Sequence, residues 1–324
     1  MRTSVASRLL ALFWVSVTSS LLVLPSCTRL PASTSAGLPP DFASLTADEA
    51  ELIGAGTLST TANEYNPSLT PDGRTLVFAR SQPDFKDAHI LVAQRQRNGE
   101  WSAPQALPFT SPRYSDSDPT FAPDGRTLYF TSDRPAPGRD STRHDLDLWQ
   151  VSWNGRQWGQ PAHLGTTLNG KGPELGPCFH EGYLYFSAAR RSGHGGLDVY
   201  RARQEDAGFG APENLGPSVN TAASESDAEL TPDGRWLLLW SDRAGGTGSA
   251  DLYAAPRTAS GWGPAVHLPA GLNSPEFDFT PSLSADGQWL YFASTRAVAP
   301  SSGRAVVGQS NLYRVRLRPI TSSR

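Results

Sequence analysis

Five carboxylate side chains recur along the chain at similar intervals, and their types and spacing could support chemistry. They are Glu64, Asp116, Glu174, Glu225 and Asp278. If gathered at the mouth of one channel, they would offer the oxygen ligands that a hard cation such as Ca²⁺ prefers, or a docking site for a basic group. Alternatively, each carboxylate binds backbone N–H groups or the arginine of a neighbouring repeat. Because every repeat carries the acid, the structural alternative is favoured, and no cofactor is predicted beyond such a cation.

Arginines recur with these acids and are suitable partners for them. They occupy one repeat position, which the first repeat lacks, at Arg134, Arg190, Arg243 and Arg296. A guanidinium beside a carboxylate forms a strong, charge-assisted hydrogen bond. The pairing therefore explains the acids without requiring a ligand.

Other chemical patterns are weaker. The loop from 135 to 147 contains Asp140, His144, Asp145 and Asp147, which could bind a metal, but Asp147 is also a repeat position, so a polar loop is favoured. Cys178 lies in an apolar strand and is predicted to be a buried, inert thiol. The chain contains no Gly-x-Ser-x-Gly elbow and no complete P-loop.

The acids belong to a sequence repeat that recurs along the chain. Each copy ends its first strand at a tight turn, whose acidic residues are Asp72, Asp124, Glu181, Asp233 and Asp286. These turns are 52, 57, 52 and 53 residues apart, which predicts one four-stranded unit per repeat, stacked on its neighbours. The second strand, such as 128–131, alternates in polarity and is predicted to be half-buried.

The number of strand segments in the repeats predicts how the fold closes. Five copies of the first three strands are present, but only four aromatic corners that lead to a fourth strand. The unassigned segment 51–59 is therefore predicted to complete the last unit. The fold class is an all-β, five-bladed β-propeller of four-stranded blades over 46–319, with six blades as the less favoured alternative.

A capping box at Thr46 and Glu49 also predicts a helical turn near 46–51.

The segments 122–134 (Ala-Pro-Asp-Gly-Arg-Thr-Leu-Tyr-Phe-Thr-Ser-Asp-Arg) and 231–243 resemble the TolB-like, or WD40-like, propeller repeat. The resemblance extends over essentially all of the chain after its N-terminal segment. It implies a periplasmic or surface-facing scaffold for protein–protein contacts, and it implies no chemistry.

The N-terminal segment has the features of an export signal. Arg2 and Arg8 precede an apolar stretch that ends in Leu-Pro-Ser-Cys27, which resembles a bacterial lipobox. We therefore predict a signal peptide (1–26), a lipid-anchored tether (27–45) that begins at an acylated Cys27, and a short tail (320–324). Thr28 favours the outer membrane as the site of the anchor. An ordinary signal peptide cut elsewhere is the alternative.

Charge and composition limit the classes of partner and function that the sequence allows. The formal net charge is −3 and no basic run is present, so nucleic acid is a poor partner. The sequence predicts a monomeric, non-catalytic envelope lipoprotein that binds an envelope protein or a peptidoglycan-associated component through one propeller face. A carbohydrate-active hydrolase, lyase or lectin that uses the channel-mouth carboxylates is the alternative. An active site should break the repeat, and the sequence alone reveals no acidic or histidine residue in the channel that belongs to a single blade.

Overall fold

The N-terminal part of the described chain forms short extended elements. A computed structural model of the protein describes residues 41–138, 145–297 and 309–319. A single 3-10 turn (Phe42–Ser44) leads into two short strands, β1 (Leu45–Ala47) and β2 (Glu51–Leu52). No helix in these described ranges is long and apolar enough to cross a membrane.

The remaining strands form five antiparallel sheets, which are the blades of a β-propeller. Blade 1 contains β3 (Asn63–Leu69), β4 (Thr75–Ser81), β5 (His89–Gln94) and β6 (Gln105–Ala106). Blade 2 contains β7 (Asp116–Phe121), β8 (Thr127–Ser132), β9 (Asp147–Ser152) and β10 (Ala162–His163). Blade 3 contains β11 (Glu174–His180), β12 (Tyr183–Ala188), β13 (Asp198–Glu205), β14 (Gly208–Phe209) and β15 (Glu213–Asn214). Blade 4 contains β16 (Glu225–Leu230), β17 (Trp236–Ser241), β18 (Asp251–Thr258), β19 (Gly261–Trp262) and β20 (Val266–His267). Blade 5 contains β21 (Asp278–Leu283), β22 (Trp289–Ser294) and β23 (Asn311–Pro319).

The N-terminal strands complete blade 5. Both β1 and β2 pair antiparallel with β23, with Leu45 opposite Pro319 and Leu52 opposite Tyr313. The predicted five-bladed propeller with an N-terminal closing strand is therefore confirmed. The helical turn predicted near 46–51 is wrong, because pairing with β23 satisfies the backbone groups of this segment in an extended conformation.

The propeller also extends into the segment that was predicted to be a tether. Phe42 is 2% exposed and packs against Trp236 of blade 4, with ring centroids 5.7 Å apart. The last residues of the 27–45 segment thus belong to the packed unit, whereas Cys27 lies outside the described residues. Burial of an aromatic ring holds this part of the chain on the propeller.

The second strand of each blade is buried on both faces. Four phenylalanines occupy equivalent positions in these strands with no exposed surface: Phe78, Phe130, Phe186 and Phe292. The predicted half-buried strand is therefore wrong. Each blade is covered on both faces by its neighbours, so both sets of alternating side chains enter an apolar interface.

The five innermost strands, β3, β7, β11, β16 and β21, stand side by side around a central channel. We call the end at which they begin the upper mouth, and the end at which they reach the tight turns the lower mouth. Each inner strand contains a β-bulge near its middle. A bulge redirects side chains locally, and here it does so at the same level in every blade.

Candidate active site

The five recurrent carboxylates form ion pairs inside the blades. All five are 0–1% exposed, and each contacts an arginine of its own blade rather than of a neighbour. The N···O distances are 2.8 Å for Glu64–Arg80, 2.6 Å for Asp116–Arg134, 3.3 Å for Glu174–Arg190, 3.1 Å for Glu225–Arg243 and 2.6 Å for Asp278–Arg296. The first repeat has Gln82 at the position of the other four arginines, as expected, and Arg80, two residues earlier, pairs with Glu64 instead.

Most of these carboxylates also hold the connection that enters their blade. Backbone N–H groups four residues upstream donate to them, from Thr60, Gly170, Thr221 and Ser274. Burial raises the pKa of Glu64 and of Asp116, although the neighbouring arginine acts in the opposite direction. This geometry describes an architectural element, and cation binding by the ring stays a prediction.

The acidic turn residues shape the turns at the lower mouth. In four blades the turn aspartate accepts a hydrogen bond from the backbone N–H two residues ahead; these are Asp72, Asp124, Asp233 and Asp286. Such a local bond is what makes aspartate favourable in a turn. These aspartates therefore stabilise the turns.

The channel axis is surrounded by a different ring, which lies two residues beyond the recurrent acids. Its members adopt left-handed backbone conformations with φ between 49° and 56°: Asn66, Asp118, Gly176, Asp227 and Thr280. They bond to one another across blades. The Asn66 side-chain amide donates to Asp227 Oδ1 (2.9 Å), its backbone N–H to Thr280 Oγ1 (3.1 Å), and the Gly176 N–H to Asp118 Oδ2 (3.2 Å).

Two carboxyl groups, Asp118 and Asp227, meet in this axial ring. A Cβ added to Gly176 would lie 2.6 Å from Asp227 Oδ1, so glycine is required where both carboxyls approach the same residue. Burial, followed by the negative charge of Asp118, raises the pKa of Asp227 to about 7. Burial likewise raises the pKa of Asp118. Two like charges at one site resist simultaneous ionisation, so the pair holds a proton near neutral pH.

Aromatic side chains adjoin this pair at the upper mouth. The Trp240 indole N–H donates to Asp227 Oδ2 (2.6 Å), and its ring meets Phe277 edge-on at 5.3 Å. Phe277 and Phe279 stack with centroids 4.4 Å apart. Phe85 packs on Tyr65 at 5.3 Å while 41% of its surface remains exposed. The carboxyl pair is thus bordered by an apolar, partly exposed surface.

Below the ring, the channel narrows to an axial cavity of about 20 Å³. This volume can hold a single water molecule. Glu229 lines both this cavity and the wider lower mouth, and burial raises its pKa to about 7. Within the described ranges, no group of three or more His, Cys, Asp or Glu side chains is arranged to hold a metal ion.

The axial carboxyls are not among the acids common to all repeats, so the sequence repeat does not reveal them. The informative positions lie two and four residues after each recurrent acid, where the repeats differ. Glu229 belongs to one blade only, since the equivalent residues are Ser68, Thr120, Cys178 and Ser282. In the 135–147 loop, Asp140 and His144 lie outside the described residues, whereas Asp147 contacts His163 at 3.0 Å. Cys178 is buried, and burial raises the pKa of its thiol.

These observations define the class of protein: a five-bladed β-propeller whose axis carries an interacting pair of carboxyl groups. No family model matches the chain, and no curated protein matches it. Similar solved structures include a thermostable family-43 glycoside hydrolase (11% identity, 80% of this chain and 89% of that chain, TM-score 0.50). Two others are an α-L-arabinofuranosidase from Lactobacillus brevis (13% identity, 84% and 95%, TM-score 0.48) and a candidate TolB protein from Agrobacterium tumefaciens (16% identity, 86% and 100%, TM-score 0.47).

At these identities, the comparisons show the fold alone. They nevertheless correct one expectation, which was that the chain is not an enzyme. The fold it shares with a glycoside hydrolase is one that carries catalysis, so the propeller gives no reason to exclude activity. The channel also contains an acidic residue that belongs to a single blade, Glu229, whereas Asp118 and Asp227 break the repeat in two of the five blades.

Proposed function

We propose that the protein hydrolyses glycosidic bonds, with Asp118 and Asp227 as the reacting carboxyl groups. The observation that carries this proposal is the pair itself: two carboxyls on the axis, in two of five blades, with raised pKa values and no arginine partner among the described residues. Hydrolysis of a glycosidic bond typically requires one carboxylic acid and one carboxylate.

The roles follow from the environments of the two groups. Asp227, with its pKa near 7, donates a proton to the leaving glycosidic oxygen as the bond to the sugar carbon breaks. Asp118 takes a proton from the water whose oxygen forms the new bond to that carbon. The products are two sugars with free hydroxyl groups. The pair still holds one proton, which has moved from Asp227 to Asp118 and returns to Asp227 by exchange through solvent.

The aromatic surface supports a sugar substrate. A sugar ring presents C–H groups that pack on an aromatic face. Trp240 contacts Asp227 directly, Phe277 packs on Trp240, and Phe85 extends the same aromatic surface through Phe279. The axial cavity holds only a water, so the sugar would lie above it, with its reactive carbon directed toward the axis.

The test is hydrolysis of a panel of 4-nitrophenyl glycosides, including the α-L-arabinofuranoside, and of polysaccharides by release of reducing ends. Asp118→Asn and Asp227→Asn should each reduce kcat by about 100-fold or more. Asp233→Asn, at a lower-mouth turn, is the matched control and should retain activity. Absence of hydrolysis by the wild type on every substrate, or full activity of both axial variants, would overturn the proposal.

We also propose the location and partner of the protein, on the N-terminal sequence and the repeat motifs. A signal peptide is removed before Cys27, the acylated cysteine anchors the protein in the outer membrane, and the TolB-like propeller binds an envelope protein or a peptidoglycan-associated component. Radiolabelled palmitate should enter the wild type and not Cys27→Ser, and the variant should leave the membrane fraction. Labelling of both proteins would contradict the anchor.

A further inference from the structure

The lower mouth of the channel opens into a cavity of about 390 Å³, which we call the lower funnel. One residue of each inner strand contributes to its wall, always five positions after the recurrent acid: Leu69, Phe121, Phe179, Leu230 and Leu283. Cavities that bind small molecules usually measure roughly 300–1,000 Å³ and are mainly apolar. The lower funnel has the size and the lining of such a site.

The rim of the funnel is rigid. Pro71, Pro123 and Pro232, at the turns of three blades, line the cavity together with Ala285 of blade 5. The proline ring fixes φ, so these turns lose little freedom when a ligand binds. The site is therefore largely preformed.

A single carboxyl group stands at the narrow end of the funnel. Glu229 interacts with the Cys178 thiol and accepts a hydrogen bond from the backbone N–H of Leu283. Throughout the part of the chain that the structure describes, no salt bridge reaches this carboxyl, unlike the five recurrent acids. An ionised carboxylate in an apolar cavity is costly unless a cation compensates it.

His180, which lines the same cavity, carries a polar atom with unused bonding capacity on its side toward Gly234. The Nε2 atom of His180 is buried and lies 4.0 Å from the nearest Glu181 oxygen, beyond hydrogen-bond range. Burial lowers the pKa of His180, so its ring is neutral and does not supply the missing charge for Glu229. Both groups belong to positions at which the repeat is broken.

We propose that the lower funnel binds a small amphipathic amine, whose ammonium group pairs with Glu229 and whose hydrocarbon part packs against the five apolar wall residues. Charge selects this class of ligand. A carboxylate ligand would place two like charges together, and a neutral hydrocarbon would leave the half-buried Glu229 carboxylate uncompensated. The site lies at the opposite mouth from the aromatic surface, so it does not depend on the proposed hydrolysis.

Isothermal titration of the full chain with n-octylamine, n-octanol and octanoate at neutral pH tests the proposal. We expect octylamine to bind at least tenfold more tightly than octanol, and octanoate not to bind. Glu229→Gln retains the shape of the side chain and removes the charge, so it should weaken octylamine at least tenfold and leave octanol unchanged. Equal affinities for the three compounds, or an unchanged octylamine affinity in the variant, would overturn the proposal.

Two further variants distinguish binding inside the lower funnel from attraction to exposed charge at its rim. Ala285→Trp places a bulky side chain at an exposed rim position and should abolish octylamine binding without unfolding the protein. Glu181→Gln removes a rim carboxylate that is 79% exposed and should change the affinity by less than about twofold, because exposed charges interact weakly. A larger loss in Glu181→Gln than in Glu229→Gln would move recognition to the rim and contradict the assignment. Thermal melting of each variant verifies that it is folded.

Discussion

At the scale of the residue, the carboxylates of this chain fall into two groups with opposite surroundings. The recurrent acids are buried beside an arginine, and their charge is compensated within the blade. Asp118, Asp227 and Glu229 are turned to the channel with no salt bridge among the described residues, and their pKa values rise. A compensated buried charge supports the fold, whereas an uncompensated one is available for a ligand or a proton transfer.

The buried pairs of recurrent acids and arginines are expected to stabilise the folded state. Arg134→Ala leaves Asp116 buried without its partner, which should reduce the free energy of unfolding by about 3–5 kcal/mol. Arg201→Ala is the control, because its partner Glu213 is 62% exposed and such surface pairs contribute about 1 kcal/mol or less. Urea denaturation measures both. Equal losses in the two variants would show that the buried pair has no special role.

The axial ring predicts a steric effect at Gly176. Gly176→Ala would bring a Cβ to 2.6 Å from Asp227 Oδ1 and 3.0 Å from its Cα, so the Asp227 backbone must move. Gly182→Ala is the matched control, since φ is +79° there but nothing lies within 4 Å. We expect the control to lose only the left-handed backbone preference, about 1–2 kcal/mol, and Gly176→Ala to lose more. A stability as high as that of the control would contradict the close approach of Gly176 to Asp227.

At the scale of the element, two features matter. The bulge in each inner strand positions the axial ring, and the N-terminal closing strand completes blade 5. The bulge brings a left-handed residue to the axis at the same level in every blade, and it is why the ring of Asp118 and Asp227 exists. The closing strand joins the two ends of the described chain in blade 5, so that β23 does not present an open edge.

The 3-10 turn that precedes the closing strand contains a residue far from the axis whose substitution should have a large effect. Phe42→Ala removes a ring that is buried against Trp236 and should cost about 3–5 kcal/mol of unfolding free energy. Glu49→Ala changes an exposed residue of the same segment and should be nearly neutral. Chemical denaturation with fluorescence detection compares them. If Phe42→Ala is neutral as well, this segment does not stabilise the ring.

At the scale of the whole molecule, the propeller has two mouths with different chemistry around one axis. The upper mouth combines a carboxyl pair with aromatic side chains, and the lower mouth is an apolar funnel that ends in one carboxyl. The axial cavity of about 20 Å³ separates them. A small molecule can therefore occupy either mouth without passing through the channel.

The raised axial pKa values predict how stability depends on pH. Asp227 and Glu229 titrate near 7 in the folded protein, against ordinary values of 3.8 and 4.5. Between these limits the folded state holds more protons than the unfolded state, so the contribution of these groups to stability decreases as pH rises. The double variant Asp227→Asn/Glu229→Gln should thus gain stability relative to the wild type from pH 4 to pH 8. Denaturation of both proteins at several pH values measures this difference, and a difference that does not vary with pH would contradict the raised values.

The sequence by itself determined the number of blades, their four-stranded form and the closure by an N-terminal strand. These features depend on local signals, namely five acidic-residue–glycine turns, five alternating strands and four aromatic corners, which share one period and reinforce one another. It also indicated that the recurrent acids and arginines belong together, because the two sets share the same period.

Only the tertiary structure decided which carboxyl groups face the axis. Asp118 and Asp227 lie 109 residues apart in the chain, at the same position of two repeats, and the repeat pattern does not reveal that this position reaches the axis. The bulge brings them together because it turns one side chain per blade to a point where five strands converge. A repeat reveals what its copies share, whereas a binding or reacting group is found where they differ. Convergence of the blades on one axis places those differences beside each other.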